Sequence, residues 1–275
     1  MTKVRIALFQ AQSGIDPGAN AALMVDAVGR ASAGGAAMLF TPEMSNMIDR
    51  DRERAAGRAR DEDEDPVLGA VRGAAAKAGI WVHLGSIALR GSGEKLVNRG
   101  YVIDTAGEIR GRYDKIHLFD VDLPTGESWR ESAMYAPGGE AVIVRDTPVG
   151  ALGLTICYDL RFPALFERLS EAGADVIAVP AAFTVPTGKA HWSVLLRARA
   201  IEAAAFVVAA AQAGRHEDGR ETYGHSLVAS PWGDVLVEMD DAPGLTFVDL
   251  DLARISDVRA RIPVLKHRRV IARIA

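Results

Sequence analysis

The sequence predicts a single α/β domain built on two sheets or half-sheets. Three observations carry this. Segments of helical patterning alternate with short apolar strands along the 275 residues. Two stretches, "SAGGAAMLFTPEM" and "EAGADVIAVPAAF", share one plan: an Ala-Gly helix stop, an apolar strand, then a proline. Two such stretches point to halves related by approximate symmetry. No flexible linker breaks the chain, so residues 1–275 read as one unit.

Taken in order, "KVRIALFQ" reads as a buried strand. "DPGANAALMVDAVGRASAGG" reads as a helix, with Asp16 as its cap, Pro17 in the first turn and Gly34 near its stop. "AAMLFTPE" is a short strand ending at Glu43. The acidic run Asp61–Asp65 precedes Pro66 and a helix ending near Gly79, so it reads as a solvated helix start, where acids suit the positive end of the dipole. "IWVHLGSIAL", "LVNRGYVID" and "IRGRYDKIHLF" are strands separated by turn-forming residues. The polar stretch Val121–Glu140, punctuated by Pro and Gly, is long enough to predict a functional loop. "AVIVRD" and "VGALGLTI" are strands, "FPALFERLSEAG" a helix opened by Pro163, and "ADVIAVPAAF" a strand. "HWSVLLRARAIEAAA" is a helix whose Trp192, Val194, Leu195, Leu196 and Ile201 fit one broad core-facing stripe. Arg197, Arg199 and Glu202 on it pair within the helix or across a subunit interface. "FVVAAAQAG", "HSLVASPWGDVLVEM" and "GLTFVDLDL" close the series as strands.

Composition bounds the function. About half the residues are apolar and a quarter charged, with net charge −4 and a pI near 5.9. That is ordinary globular composition without the basic face that nucleic acid requires. "MTKVRIALFQAQ" has too short an apolar run for a signal peptide, and "AAAFVVAAA" is too short to span a bilayer, so the expected setting is the cytoplasm, away from membranes. A reducing compartment also suits the single cysteine.

That cysteine, Cys157 in "GLTICYDLRFPALFERL", cannot form an internal disulfide or supply a zinc cluster of cysteines. It is either a small buried hydrophobe or a reactive group. The strand "ALGLTI" delivers it at a carboxyl end, where ligands collect in α/β sheets. A helix start follows, which favours a thiolate, and the backbone N–H of Tyr158 is placed to stabilise an oxyanion. Glu43 and Lys115 also stand just past apolar strands. A carboxylate, an ammonium and a thiol meeting at one sheet end make a base, a charge stabiliser and a nucleophile. Taken singly, each is an ordinary surface acid, a solvated lysine and a core cysteine.

"FTPEM", "GRYDKIHLF" and "GLTICYDLRFP" resemble, in this order, the three signature segments of the nitrilase superfamily of carbon–nitrogen hydrolases. The likeness runs from "VRIALFQAQ" to "PVLKHRR". It places the family's Glu-Lys-Cys triad on Glu43, Lys115 and Cys157. "TGKAHWSVLLRARAIE", "VVAAAQAGRHEDGRETYGHSLVASPWG" and "HRR" look most like the Nit branch, which includes deaminated glutathione amidases and omega-amidases; the "GRH" and "YGHS" pieces lean toward the former. The resemblance implies an αββα four-layer sandwich that dimerises, uses no cofactor or metal, and hydrolyses a small carboxylate-bearing amide through a thioester. Deaminated glutathione, cleaved to 2-oxoglutarate and Cys-Gly, is the expected substrate. 2-Oxoglutaramate, 2-oxosuccinamate and N-carbamoyl amino acids are the alternatives, and a non-catalytic binding member is the reading from another class.

The same resemblance implies Glu131, Tyr158, Arg161, Phe183 and Thr184 as substrate-binding residues. Glu131 in "WRES" matches a second glutamate of many relatives, with Glu127 as the alternative. Arg161, four residues after the nucleophile, matches an arginine that grips substrate carboxylates, or else it braces Asp159. His117, His191 and His225 offer a rival Cys-His pair, or metal ligands, without the local signatures either would carry.

Overall fold

The computed structural model describes residues 3–123, 126–269 and 271. Two six-stranded sheets form its centre. The first is built from β1 (Lys3–Gln10), β2 (Met38–Phe40), β3 (Trp81–Arg90), β4 (Leu96–Ile103), β5 (Ile109–Asp114) and β16 (Gly244–Asp251), in the order β16-β1-β2-β3-β4-β5. The second contains β8 (Val142–Thr147), β9 (Gly150–Leu154), β10 (Val176–Ala178), β11 (Phe206–Ala209), β14 (Leu227–Ala229) and β15 (Val235–Glu238), in the order β15-β14-β11-β10-β9-β8.

The two sheets share one topology. Each has a parallel trio in chain order, β1-β2-β3 and β9-β10-β11, with one antiparallel strand on its first side and, on the other, two strands each paired antiparallel to the one before. The echoed strands β2 and β10 are the centres of the two trios, so the echo marks a structural repeat.

Strand alternation sorts side chains between layers. Ile6, Leu8, Met38 and Phe40 face the second sheet and share a core with Leu152, Leu154, Val176 and Ala178. Ala7, Phe9, Leu39 and Val82 face outward, against α1 (Pro17–Ala33) and α3 (Pro66–Ala78) through Met24, Val28, Val67 and Val71. Burial on both faces explains why these strands read as continuous apolar runs. On the other side α4 (Pro163–Glu171) and α5 (Val185–Ala203) cover the second sheet with Phe166, Leu169, Trp192 and Leu196. The result is an αββα four-layer sandwich. Asp16 caps α1 by accepting from Gly18 and Ala19, and Gly79 ends α3 in the left-handed region at φ 64°, as the sequence predicts.

The two echoed prolines meet at Gly85. A Cβ there would stand 2.2 Å from the Thr41 carbonyl oxygen, 2.5 Å from the Pro42 carbonyl oxygen and 2.5 Å from Pro180 Cβ. Only glycine lets both chains come this close, and Glu43 follows one proline while Ala182 lies near the other.

Several local expectations are corrected. Val194 and Ile201 do not join the core stripe: they are 69% and 51% exposed. At about 100° per residue they fall on the side of α5 opposite Trp192, so the helix has a second, outward apolar face. That helix also begins at Val185, six residues before His191, because Pro186 fits its first turn. The acidic run is not wholly solvated. Asp65 is buried and caps α3, and Glu62 takes hydrogen bonds from Arg99, Arg112 and Tyr101. Burial raises the Glu62 carboxyl, but those donors outweigh it and bring it down to about 2.

"IHLF" leaves the sheet at Asp114, and "FVVAAAQAG" breaks at Ala209 before a hairpin of β12 (Ala213–Arg215) and β13 (Glu221–Tyr223). The stretch Val121–Glu140 carries a second small hairpin, β6 (Asp120–Asp122) with β7 (Ser128–Arg130); Pro124 and Thr125 of that stretch lie outside the described residues. Helices α2 (Arg52–Arg58), α6 (Ala253–Arg261) and α7 (Val264–His267) are too short or too polar to stand out in the sequence. Among the described residues no helix is long and apolar enough to cross a membrane.

Candidate active site

A cavity of about 380 Å³ opens where the parallel trios end, and Glu43, Lys115 and Cys157 line it together. That volume lies within the range of small-molecule sites. All three residues are nearly inaccessible, at 3%, 2% and 7% of their free exposure.

Lys115 is the hub. It follows β5, and its Nζ donates to Glu43 Oε1 at 2.8 Å and to both carboxylate oxygens of Glu131 at 3.0 and 2.9 Å. Asn98 on the neighbouring strand donates to the same Glu43 oxygen at 3.0 Å. The other Glu43 oxygen accepts the Ala182 N–H at 2.9 Å, across from the second sheet. Gln212 holds the Glu43 carbonyl from that side too, at 2.9 Å. Glu43 is thus fixed by both sheets. Glu131, not Glu127, is the second carboxylate on the lysine; Glu127 lines the cavity without reaching Lys115.

Cys157 sits at φ 51°, a left-handed backbone that a non-glycine residue adopts under strain. It opens a short 3₁₀ turn, Cys157–Arg161, directly after β9. Its own N–H is taken by the Pro180 carbonyl at 2.8 Å and that of Asp159 by the Ile156 carbonyl at 3.0 Å, while the Tyr158 N–H between them has no acceptor among the described residues.

Asp159 clamps this turn to the strand that carries the lysine. Fully buried, it accepts from the Ile156 N–H at 2.8 Å, the Tyr113 hydroxyl at 2.7 Å and the His117 N–H at 3.0 Å, with the His117 ring Nδ1 2.7 Å away. The brace between Arg161 and Asp159 is therefore not formed. Tyr113 and His117 flank Lys115 in the sequence, at the end of β5 and just beyond it.

Electrostatics set the protonation states. Burial raises the Cys157 thiol well above its usual 9.0, and the negative charge of Glu43 adds to this against the pull of Lys115. The resting group is a thiol, which corrects the expectation that the helix start makes a thiolate. Burial would also raise Glu43, but the charge of Lys115 and the hydrogen bonds around the carboxylate hold it below 4.5. Lys115 is driven down by burial and more strongly up by Glu131 and Glu43, and it stays an ammonium.

Tyr158, Phe183 and Thr184 line the cavity. Arg161 does not; its guanidinium lies over the Tyr158 and Phe183 rings at 5.8 and 5.5 Å, and its Nη1 is 3.3 Å from His191 Nδ1. None of the three histidines is set as a thiol's base: His117 pairs with Asp159, His191 with Arg161, and His225 stacks on Tyr223. Among the described residues no group of three or more His, Cys, Asp or Glu is gathered to hold a metal ion. Sequence reading missed Asn98, Gln212, Trp129 and Arg220, which come from segments remote from the signature stretches.

This sandwich, with an acid, a lysine and a cysteine converging at the strand ends, belongs to the carbon–nitrogen hydrolases of the nitrilase superfamily; the family profile "Carbon-nitrogen hydrolase" matches residues 5–260. The chain is 38% identical over 275 residues to deaminated glutathione amidase of Yersinia enterocolitica, covering 99% of this chain and 95% of that one. Nit3 of Saccharomyces cerevisiae, a nitrilase-superfamily member, superposes with a TM-score of 0.86 at 26% identity, over 98% of this chain and 97% of that one. The amidase of Nesterenkonia sp. AN1, seen as a mutant with acrylamide added to its active-site cysteine, has a TM-score of 0.76 at 29% identity, over 94% and 98%.

Proposed function

We propose that residues 1–275 act as one catalytic unit, an amidase that cleaves small carboxylate-bearing amides through Cys157, with deaminated glutathione as the substrate. The observation that carries this reading is the buried convergence of Glu43, Lys115 and Cys157 on one cavity. Glu43 takes the thiol proton as sulfur attacks the amide carbonyl. The Lys115 ammonium and the Tyr158 N–H hold the oxyanion. The protonated Glu43 returns its proton to the leaving amine, here Cys-Gly, leaving a thioester on Cys157. Glu43 then deprotonates a water that attacks the thioester; the C–S bond breaks, 2-oxoglutarate leaves, and the proton on Glu43 returns to the Cys157 sulfur. Glu131 keeps Lys115 aimed, and Tyr158, Phe183 and Thr184 shape the acyl side of the cavity. Arg161 acts on it through the two rings it covers.

A panel of deaminated glutathione, 2-oxoglutaramate, 2-oxosuccinamate, N-carbamoyl-β-alanine and simple nitriles tests the substrate. Deaminated glutathione is expected to show the highest kcat/KM; a higher value for another member reassigns the substrate. The pH profile tests the chemistry. Glu43 is held below 4.5 and the thiol above 9.0, so both keep their active form between those limits. The expected kcat/KM is level from about pH 5 to about pH 9. A limb near pH 6.5, where imidazole titrates, would instead mark a histidine base.

The outward face of α5 favours a homodimer. Val194 and Ile201 are exposed on one face of the helix, Ile201 packs beside Gly233, and the adjoining Trp232 is 51% exposed. Sedimentation at micromolar concentration is expected to give about twice 29.3 kDa, and a fully active species of 29.3 kDa would refute the dimer. The free thiol supports a cytoplasmic setting, where a reducing medium keeps it unmodified.

A further inference from the structure

Beside the catalytic cluster, the cavity carries positive charge that the chemistry at Cys157 does not use. Arg220, at the end of the turn between β12 and β13, has its guanidinium carbon 4.7 Å from the centre of the Trp129 ring; that of Arg50 lies 5.1 Å from the same ring. All three residues line the cavity. Burial disfavours the charge of Arg220, Asp218 supports it, and the nearby charge of Arg50 works against it. Arg130, next along β7, is already bonded to Asp122 at 2.9 Å. Among the described residues Arg220 has one ion-pair partner, Asp218, whose Oδ2 stands 3.7 Å from Nε, beyond hydrogen-bonding reach, and is itself buried without a donor, while Oδ1 accepts the backbone N–H of Arg220.

Arg220 Nε and Trp129 Nε1 are both buried without an acceptor. Buried donors left unpaired are costly and rare in folded proteins. Arg220 Nε faces the Asp218 carboxylate, but the terminal guanidinium nitrogens take no acceptor among the described residues; with the orphaned indole N–H and two like charges held near one ring, they describe a place prepared for an anion that arrives with the ligand.

We propose that Arg220, with Arg50 beside the Trp129 ring, holds a substrate carboxylate remote from the scissile amide. The fork of Arg220 matches a planar carboxylate, and the Trp129 N–H supplies a further donor. The substrate class this selects is an amide with a free carboxylate several bonds from the carbonyl under attack. The assignment deepens the amidase reading and rests on it for the identity of the ligand.

Binding separates the two. In Cys157→Ala protein, calorimetry would compare deaminated glutathione with two derivatives, each carrying one carboxylate as its primary amide. Each cap is expected to weaken binding about tenfold or more, as the loss of a charge-assisted pair does. Adding Arg220→Gln should erase the penalty of one cap and keep that of the other. Arg220→Lys, which keeps charge without the fork and guards against a misfolded variant, should erase part of it. With Cys157 restored, Arg220→Gln should raise KM for the natural amide at least about tenfold and change kcat less. The proposal is overturned if both penalties survive in the Arg220 variants, if all three ligands weaken equally, or if no ligand binds through a carboxylate. Carboxylate binding that depends on Arg220, in a protein that hydrolyses no amide, would sink the amidase reading and leave this one standing.

Discussion

Replacing Cys157 with alanine is expected to abolish amide hydrolysis, lowering kcat by at least about 10⁴-fold, in keeping with the loss of a covalent nucleophile. No neighbour can substitute, since Cys157 is the only thiol in the chain and the cavity presents no serine or threonine on the same turn. The fold should survive. The backbone at φ 51° is no harder for alanine than for cysteine, and the Cys157 N–H bond to Pro180 does not involve the side chain. A far-ultraviolet spectrum and a melting temperature like those of the parent, with turnover at background, is the expected result. Turnover within about tenfold of the parent would end the covalent reading.

Glu43→Gln is expected to be nearly as damaging, at least about 10³-fold in kcat/KM, since the proposed base, which shares the cavity with the thiol, is lost at constant size. The carboxylate accepts from Lys115, Asn98 and Ala182. A glutamine can keep the bonds on one oxygen, but its amide nitrogen then meets a donor or the thiol, at a cost of about 1–3 kcal/mol. Lys115 remains paired with Glu131, so its buried charge is not stranded. The thiol should behave in the opposite way to turnover. Burial and then Glu43 raise the Cys157 thiol and Lys115 lowers it, so removing Glu43 takes away one of the raising influences and keeps the lowering one. Iodoacetamide should therefore alkylate the inactive Gln variant faster than the parent at about pH 7. Slower alkylation, with the fold intact, would show that Glu43 activates the thiol in the resting enzyme.

The loss of Glu43 also has a stability signature. Its folded-state carboxyl lies below the unfolded value, so its contribution is present above about pH 4.5 and is lost as pH falls through the depressed folded value. The acid limb of the parent's melting curve should flatten in the Gln variant.

The three signature residues were legible because each follows an apolar strand, and strand ends are where α/β sheets expose chemistry. The repeat was legible because Ala-Gly stops and prolines flank both central strands. What could not be read came from elsewhere in the chain. Asn98 lies mid-strand, Asp159 looked like a partner for Arg161, and Trp129 and Arg220 sit on two small hairpins far apart in sequence. Nothing local marks such residues; only packing brings them to one cavity. The misplaced face of α5 has a different cause. A long, alanine-rich helix has apolar residues on more than one side, and composition does not say which side meets the sheet.

The meeting of the two prolines at Gly85 bears on how the enzyme assembles. Glu43 and Lys115 belong to the first sheet, Cys157 and Ala182 to the second, and the bonds joining them span up to 139 residues of sequence. Neither sheet alone contains a working site, so intermediates with one sheet formed are chemically silent. Regained turnover during refolding therefore reports the docking of the sheets, an event governed by distant contacts and accordingly slow. A newly made chain would be exposed to its surroundings, with an unguarded thiol, until the last layer closes.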